Sequence, residues 1–114
     1  KIIPILSKKA HIIFISSMGG LNGTVKFPGL SSYSSSKGAL ITLTECLAEE
    51  FKMTNLRFNC LALGAVQTEM LKKAFPGYKA PLSTKKAASF IFDFSMNGGE
   101  FFNGKVLPVS TTTP

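Results

Sequence analysis

Residues His11-Ile-Ile-Phe-Ile15 form an unbroken apolar run rich in β-branched side chains. A strand with one wet face alternates apolar and polar residues. A run without polar members needs cover on both faces, as in a parallel sheet. Leu56-Arg-Phe-Asn-Cys-Leu-Ala-Leu63 reads as a second strand, closed by Gly64. Lys105-Val-Leu-Pro-Val109 reads as a third, and Pro108, lacking an N–H, places it at a sheet edge. Between the first two, Leu40, Leu43, Leu47 and Phe51 recur at spacings of three and four with Ala39 and Ala48 alongside, which predicts one broad helical stripe. Ser31 or Ser32 is suited to cap that helix. A further helix is expected from Thr84 to about Met96, capped by Ser83 or Thr84, with Ala87, Ala88, Phe90, Ile91 and Phe94 inward and Asn97-Gly98-Gly99 ending it. Strands near 11–16, 56–63 and 105–109 thus alternate with crossover helices near 32–52 and 84–96. That order implies βαβ units in a doubly wound parallel α/β sheet.

Several other classes are excluded. The chain has 114 residues, enough for a single domain. No apolar run approaches the roughly 18 residues of a membrane span, and no signal-peptide pattern is visible, so no membrane partner is expected. Cys46 and Cys60 are the only cysteines, read as free, core-packed thiols in a reducing, cytoplasmic setting. The net charge is +7, but the lysines come as scattered pairs and Arg57 is the only arginine. Solvated surface lysines, with one anionic ligand, fit this pattern better than nucleic acid. His11, the single histidine, cannot build a metal site and is assigned a structural place at a strand start; no metal is expected. The Phe90–Phe102 stretch is read as core. Residues 1–6 are read as the end of a helix, 19–32 as a loop, 69–83 as a mobile segment with a short helix over 69–75, and the 110–114 tail as frayed.

Open α/β sheets bind ligands beyond the carboxyl ends of their strands. Those ends here are Ser16-Ser17 and the Gly64–Thr68 loop. Tyr33-Ser-Ser-Ser-Lys37 stands at the start of the first helix, its phenol and ammonium about one turn apart on one face. A free phenol, with a pKa near about 10, is a poor proton-transfer group at neutral pH. A lysine cation beside it favours the phenolate. Ser17, at the end of the first strand, can hold a substrate oxygen.

These residues resemble the short-chain dehydrogenase/reductase family. Ile12-Ile-Phe-Ile-Ser-Ser-Met-Gly-Gly20 is similar to the strand that delivers that family's serine, Tyr33-Ser-Ser-Ser-Lys37 to its Tyr-x-x-x-Lys, Arg57 to Thr68 to its next strand and Pro-Gly-x-Val-x-Thr turn, and Asn103 to Val109 to its last strand. The resemblance implies the C-terminal part of a Rossmann-like sheet. It implies an NAD- or NADP-dependent oxidoreductase that reduces carbonyls or oxidises alcohols. Tyr33 would be the general acid or base. Lys37 would assist it and bind the nicotinamide ribose. Ser17 would hold the substrate oxygen. The Val66 backbone and Thr68 hydroxyl would anchor the carboxamide, residues 69–83 would form a substrate lid, and a homodimer or homotetramer is expected.

The chain departs from the family at Leu63, where the turn usually has proline, in the long Ser17-to-Tyr33 spacing, and in Ser110-Thr-Thr-Thr-Pro114, which replaces the usual Asp-Gly-Gly. The Gly-rich dinucleotide loop and the asparagine of the catalytic set are not found. Residues 1–114 are therefore read as one partial domain, the C-terminal half, whose missing N-terminal half is a partner and without which it is expected to be inactive. Two alternatives stand beside this reading. One is an idle relative acting as a scaffold or nucleotide sensor. The other is an acyl enzyme using Ser34-Ser-Ser-Lys37 as Ser-x-x-Lys, although Gly104-Lys105-Val106 stands where Lys-Thr-Gly would be needed.

Overall fold

The computed structural model describes residues 2–112. Strands β1 (His11–Ser17), β2 (Arg57–Leu63) and β5 (Val106–Val109) form a parallel sheet in the order β1-β2-β5. Helix α1 (Ser31–Glu50) links β1 to β2, and α3 (Thr84–Asn97) precedes β5. The expected α/β architecture is present, with element limits shifted by one or two residues. β1 pairs with β2 from His11↔Arg57 to Ser17↔Leu63, and β2 with β5 from Cys60↔Val106 to Leu63↔Val109.

Strand alternation assigns the two faces. Ile12 and Phe14 of β1 pack with Phe58 of β2 against Ala48, Leu47 and Phe51 of α1. His11, of opposite parity, meets Phe94 of α3 at 5.5 Å between ring centroids. Helices therefore cover both faces. The central strand is the dry one: Phe58 to Ala62 are all at most 1% exposed. β1, the most apolar run in the sequence, is only half-buried, and Ile15 is 38% exposed, because β1 has a neighbour on one edge only. β5 takes the other edge, as Pro108 requires.

Several expectations are corrected. Ser31 and Ser32 do not cap α1. The chain turns at Phe27–Leu30, with Gly29 at φ 82°, and Leu30 precedes the helix without a side-chain cap bond. On α1 the buried residues are Thr44 and Ala48, whereas Ala39, Leu43 and Cys46 face outward, so Cys46 is not a core thiol. On α3, Ala87 and Phe94 are buried but Ala88 and Phe90 are not, and Phe92, Phe101 and Phe102 are also exposed. One aromatic of that stretch is core, and Phe90 and Phe102 pack against it from outside. The N-terminal segment is a 3₁₀ turn over Ile3–Ile5, started by Pro4. The frayed-tail expectation for 113–114 lies outside the described residues. Ser83 caps α3 as expected, accepting the Lys86 N–H at 3.3 Å.

The turn into β5 is held by buried asparagine. Asn59, fully buried on β2, accepts the Lys105 N–H at 3.0 Å and donates to Phe102 O at 2.9 Å. Asn103 accepts the Phe58 N–H at 3.0 Å, and Gly104, at φ 68°, donates to Phe58 O at 2.7 Å. Backbone groups that no ladder satisfies are thus paired by amide side chains. Asn59→Leu keeps the volume and strands the Lys105 N–H; denaturant unfolding should show a loss of about 1–3 kcal/mol.

Candidate active site

The carboxyl end of β1 is keyed to the first turns of α1. Ser16, buried and facing α1, donates its hydroxyl proton to Lys37 O at 2.7 Å. The Met18–Gly20 3₁₀ turn then brings Gly20 onto the helix backbone, where a Cβ would lie 2.6 Å from Lys37 C and 2.7 Å from Gly38 N. Only a residue without a side chain fits that approach. Ser17 Oγ accepts the Gly19 N–H at 3.1 Å, which leaves its own proton free to donate. The two adjacent serines are therefore distinguished: the Ser16 proton is used inside the fold, and the Ser17 proton is not.

Lys37 Nζ donates to Ile15 O at 3.0 Å and lies 5.8 Å from the Tyr33 ring centroid. Carbonyls alternate sides along a strand. Ala10 O accepts from Arg57 N on β2, so Ile15 O points away from β2, to the open edge of β1. The ammonium thus caps an edge acceptor beside the phenol. Tyr33 is half-buried, and among the described residues its phenol has no hydrogen-bond partner. No buried side-chain oxygen there is unpaired, so the phenol oxygen reaches solvent. Ser34 Oγ lies by Gly19, and no hydrogen bond joins it to Lys37 among the described residues.

The second strand end lies alongside. Leu63 continues both ladders, pairing with Ser17 and Val109, and Gly64 N donates to Val109 O at 2.9 Å. Leucine in place of the family's proline therefore extends the pairing. Val66 lies in a short strand β3 (Val66–Gln67) that pairs with β4 (Leu82–Ser83), a small parallel sheet that sequence periodicity did not reveal because two residues carry no period. Thr68 Oγ1 caps helix α2 (Glu69–Ala74) by accepting the Leu71 N–H at 3.1 Å, again leaving a hydroxyl proton to donate. Gln67 Oε1 accepts the Ala80 N–H at 2.6 Å and holds the return of this segment. Phe27, from the β1–α1 loop, meets Phe75 edge-on at 5.3 Å. The structure so gathers Ser17, Tyr33 and Lys37 around the β1–α1 junction, with Val66 and Thr68 after the neighbouring strand.

Sequence reasoning missed Ser16, Gln67 and Phe27. Ser16 shares the parity of Ile12 and Phe14 and so faces the helix, a signal that was present; Gln67 and Phe27 make contacts distant in the chain. Cys60 is fully buried beneath the clamp, and burial pushes its thiol up, against the pull of the Thr44 and Ser16 hydrogen bonds and the Lys37 charge. It is a packing residue. Among the described residues no three His, Cys, Asp or Glu side chains gather, and no helix is long and apolar enough to cross a membrane.

A parallel α/β sheet covered by helices on both faces, with the Ser17 and Thr68 hydroxyls beyond the carboxyl ends of its strands, is a Rossmann-like arrangement. Residues 2–79 match the short chain dehydrogenase family, and the chain belongs to that family of oxidoreductases. It is 34% identical over 97 residues to the chloroplastic NADPH-dependent aldehyde reductase-like protein of Arabidopsis thaliana, covering 73% of this chain and 35% of that protein. It is 30% identical to the 3-oxoacyl-(acyl-carrier-protein) reductase FabG of Chlamydia trachomatis, covering 92% of this chain and 45% of the relative. A short chain dehydrogenase of Shigella flexneri, solved complexed with NADP, superposes with a TM-score of 0.73 at 26% identity over 90% of this chain and 42% of its own. The chain spans less than half the length of each of these relatives.

The Gly20 contact gives a direct test of the clamp. Gly20→Ala must push the 18–20 turn off α1, and thermal or denaturant unfolding should show a loss of about 1–3 kcal/mol.

Proposed function

We propose that this chain is the C-terminal, proton-transfer half of a nicotinamide-dependent short-chain dehydrogenase/reductase that interconverts small carbonyls and alcohols. The observation that carries the reading is the division of hydroxyl protons at the strand ends. Ser17 and Thr68 each accept a backbone N–H and keep a free proton, whereas that of Ser16 is tied to Lys37 O. Both free donors lie where an open α/β sheet takes its ligand.

NAD or NADP, when bound, supplies or removes the hydride. This chain's residues do the rest. Ser17 donates a hydrogen bond to the substrate oxygen and sets it beside the Tyr33 phenol. Tyr33 gives its proton to that oxygen in reduction and takes it back in oxidation. The Lys37 ammonium stabilises negative charge developing on the phenol and, leaving Ile15 O, binds the ribose hydroxyls. The Val66 backbone and the Thr68 hydroxyl hold the carboxamide. Residues 69–83, pinned through Gln67 and closed against Phe27 by Phe75, form the lid over an apolar substrate portion.

The open edge of β1 supports pairing with a further strand from a nucleotide-binding half, on which activity depends. Ala39, Leu43 and Cys46, outward on α1, favour self-association into a dimer or tetramer through that helix. Two free thiols favour a cytoplasmic setting.

The test is NADH- and NADPH-linked turnover of a panel of aldehydes and ketones by the protein, with its nucleotide-binding half present. Tyr33→Phe should lower turnover by several orders of magnitude while cofactor fluorescence still reports binding. An unchanged rate would remove Tyr33 from the mechanism, and nucleotide binding without any turnover in the unmutated protein would favour an idle relative. Between the serines, Ser17→Ala should lower kcat by about 10- to 1000-fold. Ser16→Ala should instead lower stability by about 1 kcal/mol.

A further inference from the structure

His11 lies at the amino end of the sheet, far from the strand ends described above. It joins three elements. Its Nδ1 is 3.2 Å from Ser95 O in the last turn of α3, and its Nε2 is 2.9 Å from Asn59 Nδ2 on β2. A carbonyl only accepts, so Nδ1 carries a proton. The Asn59 amide cannot turn over: its oxygen is held by the Lys105 N–H at 3.0 Å and its nitrogen by Phe102 O at 2.9 Å, two backbone groups of fixed polarity. Nε2 therefore faces a donor and must accept. The neutral, Nδ1-protonated imidazole is the one form that satisfies all four bonds.

We propose that His11 and Asn59 form a proton-sensitive latch that ties β1 and the end of α3 to the 102–105 turn and opens on acidification. A proton on Nε2 sets N–H against N–H, and the amide cannot rotate to meet it without orphaning Lys105 N and Phe102 O. The imidazolium must then leave toward the adjoining concavity of about 410 Å³. Among the described residues the charged groups there are Lys9 ahead of β1, Arg57 on β2 and Glu100 after α3. Two cations oppose the new charge and one carboxylate favours it. Asn55, Phe94, Met96 and Gly99 complete the surroundings without charge. The C-terminal carbonyls of α3 favour a cation, but the neutral ring already donates to Ser95 O, so that carbonyl offers the imidazolium no new bond in place of the lost Asn59 contact.

Burial holds the His11 imidazole below its ordinary range, the Ser95 carbonyl offsetting part of the effect. The unfolded chain therefore takes up the proton first. The latch's contribution is complete above the free imidazole value of about 6.5 and is lost as pH falls below it.

Hydrogen exchange and thermal unfolding of the protein from about pH 8 to about pH 5 provide the test. The protection factor of the Lys105 amide should fall several-fold on acidification with a parallel drop in Tm. His11→Gln, whose side-chain oxygen accepts at any pH, should flatten both profiles. Unchanged Lys105 protection in the unmutated protein, or an equal fall in His11→Gln, overturns the latch. Should His11→Gln fail to fold, the ¹⁵N imidazole spectrum of the unmutated protein decides. An Nδ1-protonated tautomer titrating below free imidazole supports the latch, and an Nε2-protonated one sinks it.

Discussion

The bond from the Ser16 hydroxyl to the Lys37 carbonyl, with Gly20 pressed on the helix backbone beside it, is the constraint on which the site depends. It joins the end of β1 to the first turns of α1 through one short hydroxyl and one side-chain-free glycine. Everything that faces the ligand side is then positioned from the backbone outward. Ser17 projects from a strand end whose twist is set by β2, and Tyr33 and Lys37 project from a helix whose rotation is set by the clamp. A hydroxyl bonded inside a fully packed region is worth more as a positioning device than its modest net energy suggests, because no other rotation of α1 satisfies it.

The rest of the fold is organised around β2. Five consecutive residues there are nearly excluded from water, and both neighbouring strands and both long helices reach it or its neighbours. Hydrophobic burial dominates on the α1 face through Phe58, Leu47 and Phe51. On the α3 face the same strand carries Asn59, whose burial is tolerated because each of its polar groups is paired. One strand thus supplies cohesion on one side and a hydrogen-bonded register pin on the other. The pin fixes where β5 starts, and so where Val109 meets Gly64 at the far end of the sheet.

The reading of α1 shows how local signals fail. Its apolar stripe is wider than the sheet can cover, and the covered side is the one bearing Thr44 and Ala48, not Leu43. Small side chains let the helix approach β1 and β2 closely, and the larger Leu43 and the Cys46 thiol remain on the outer side. Periodicity marks an apolar face; it does not say which part of that face another layer occupies. The same limit applies to Phe90, Phe92 and Phe101, which satisfy a helical or apolar pattern and yet stand in water.

The three main strands and two long helices to within one or two residues, their parallel pairing, the edge place of Pro108 and the Tyr33–Lys37 spacing were legible in the sequence, because each follows from local chemistry: period, β-branching, a missing N–H, one helical turn. The division of labour between Ser16 and Ser17, the Lys37 contact to Ile15 O on the open edge of β1, the Phe27–Phe75 contact and the orientation of Asn59 toward His11 were decided only by tertiary structure. These are relations between groups from 21 to 48 positions apart in the chain, and the identity of a donor's partner across such a distance is set by packing, which no single segment encodes.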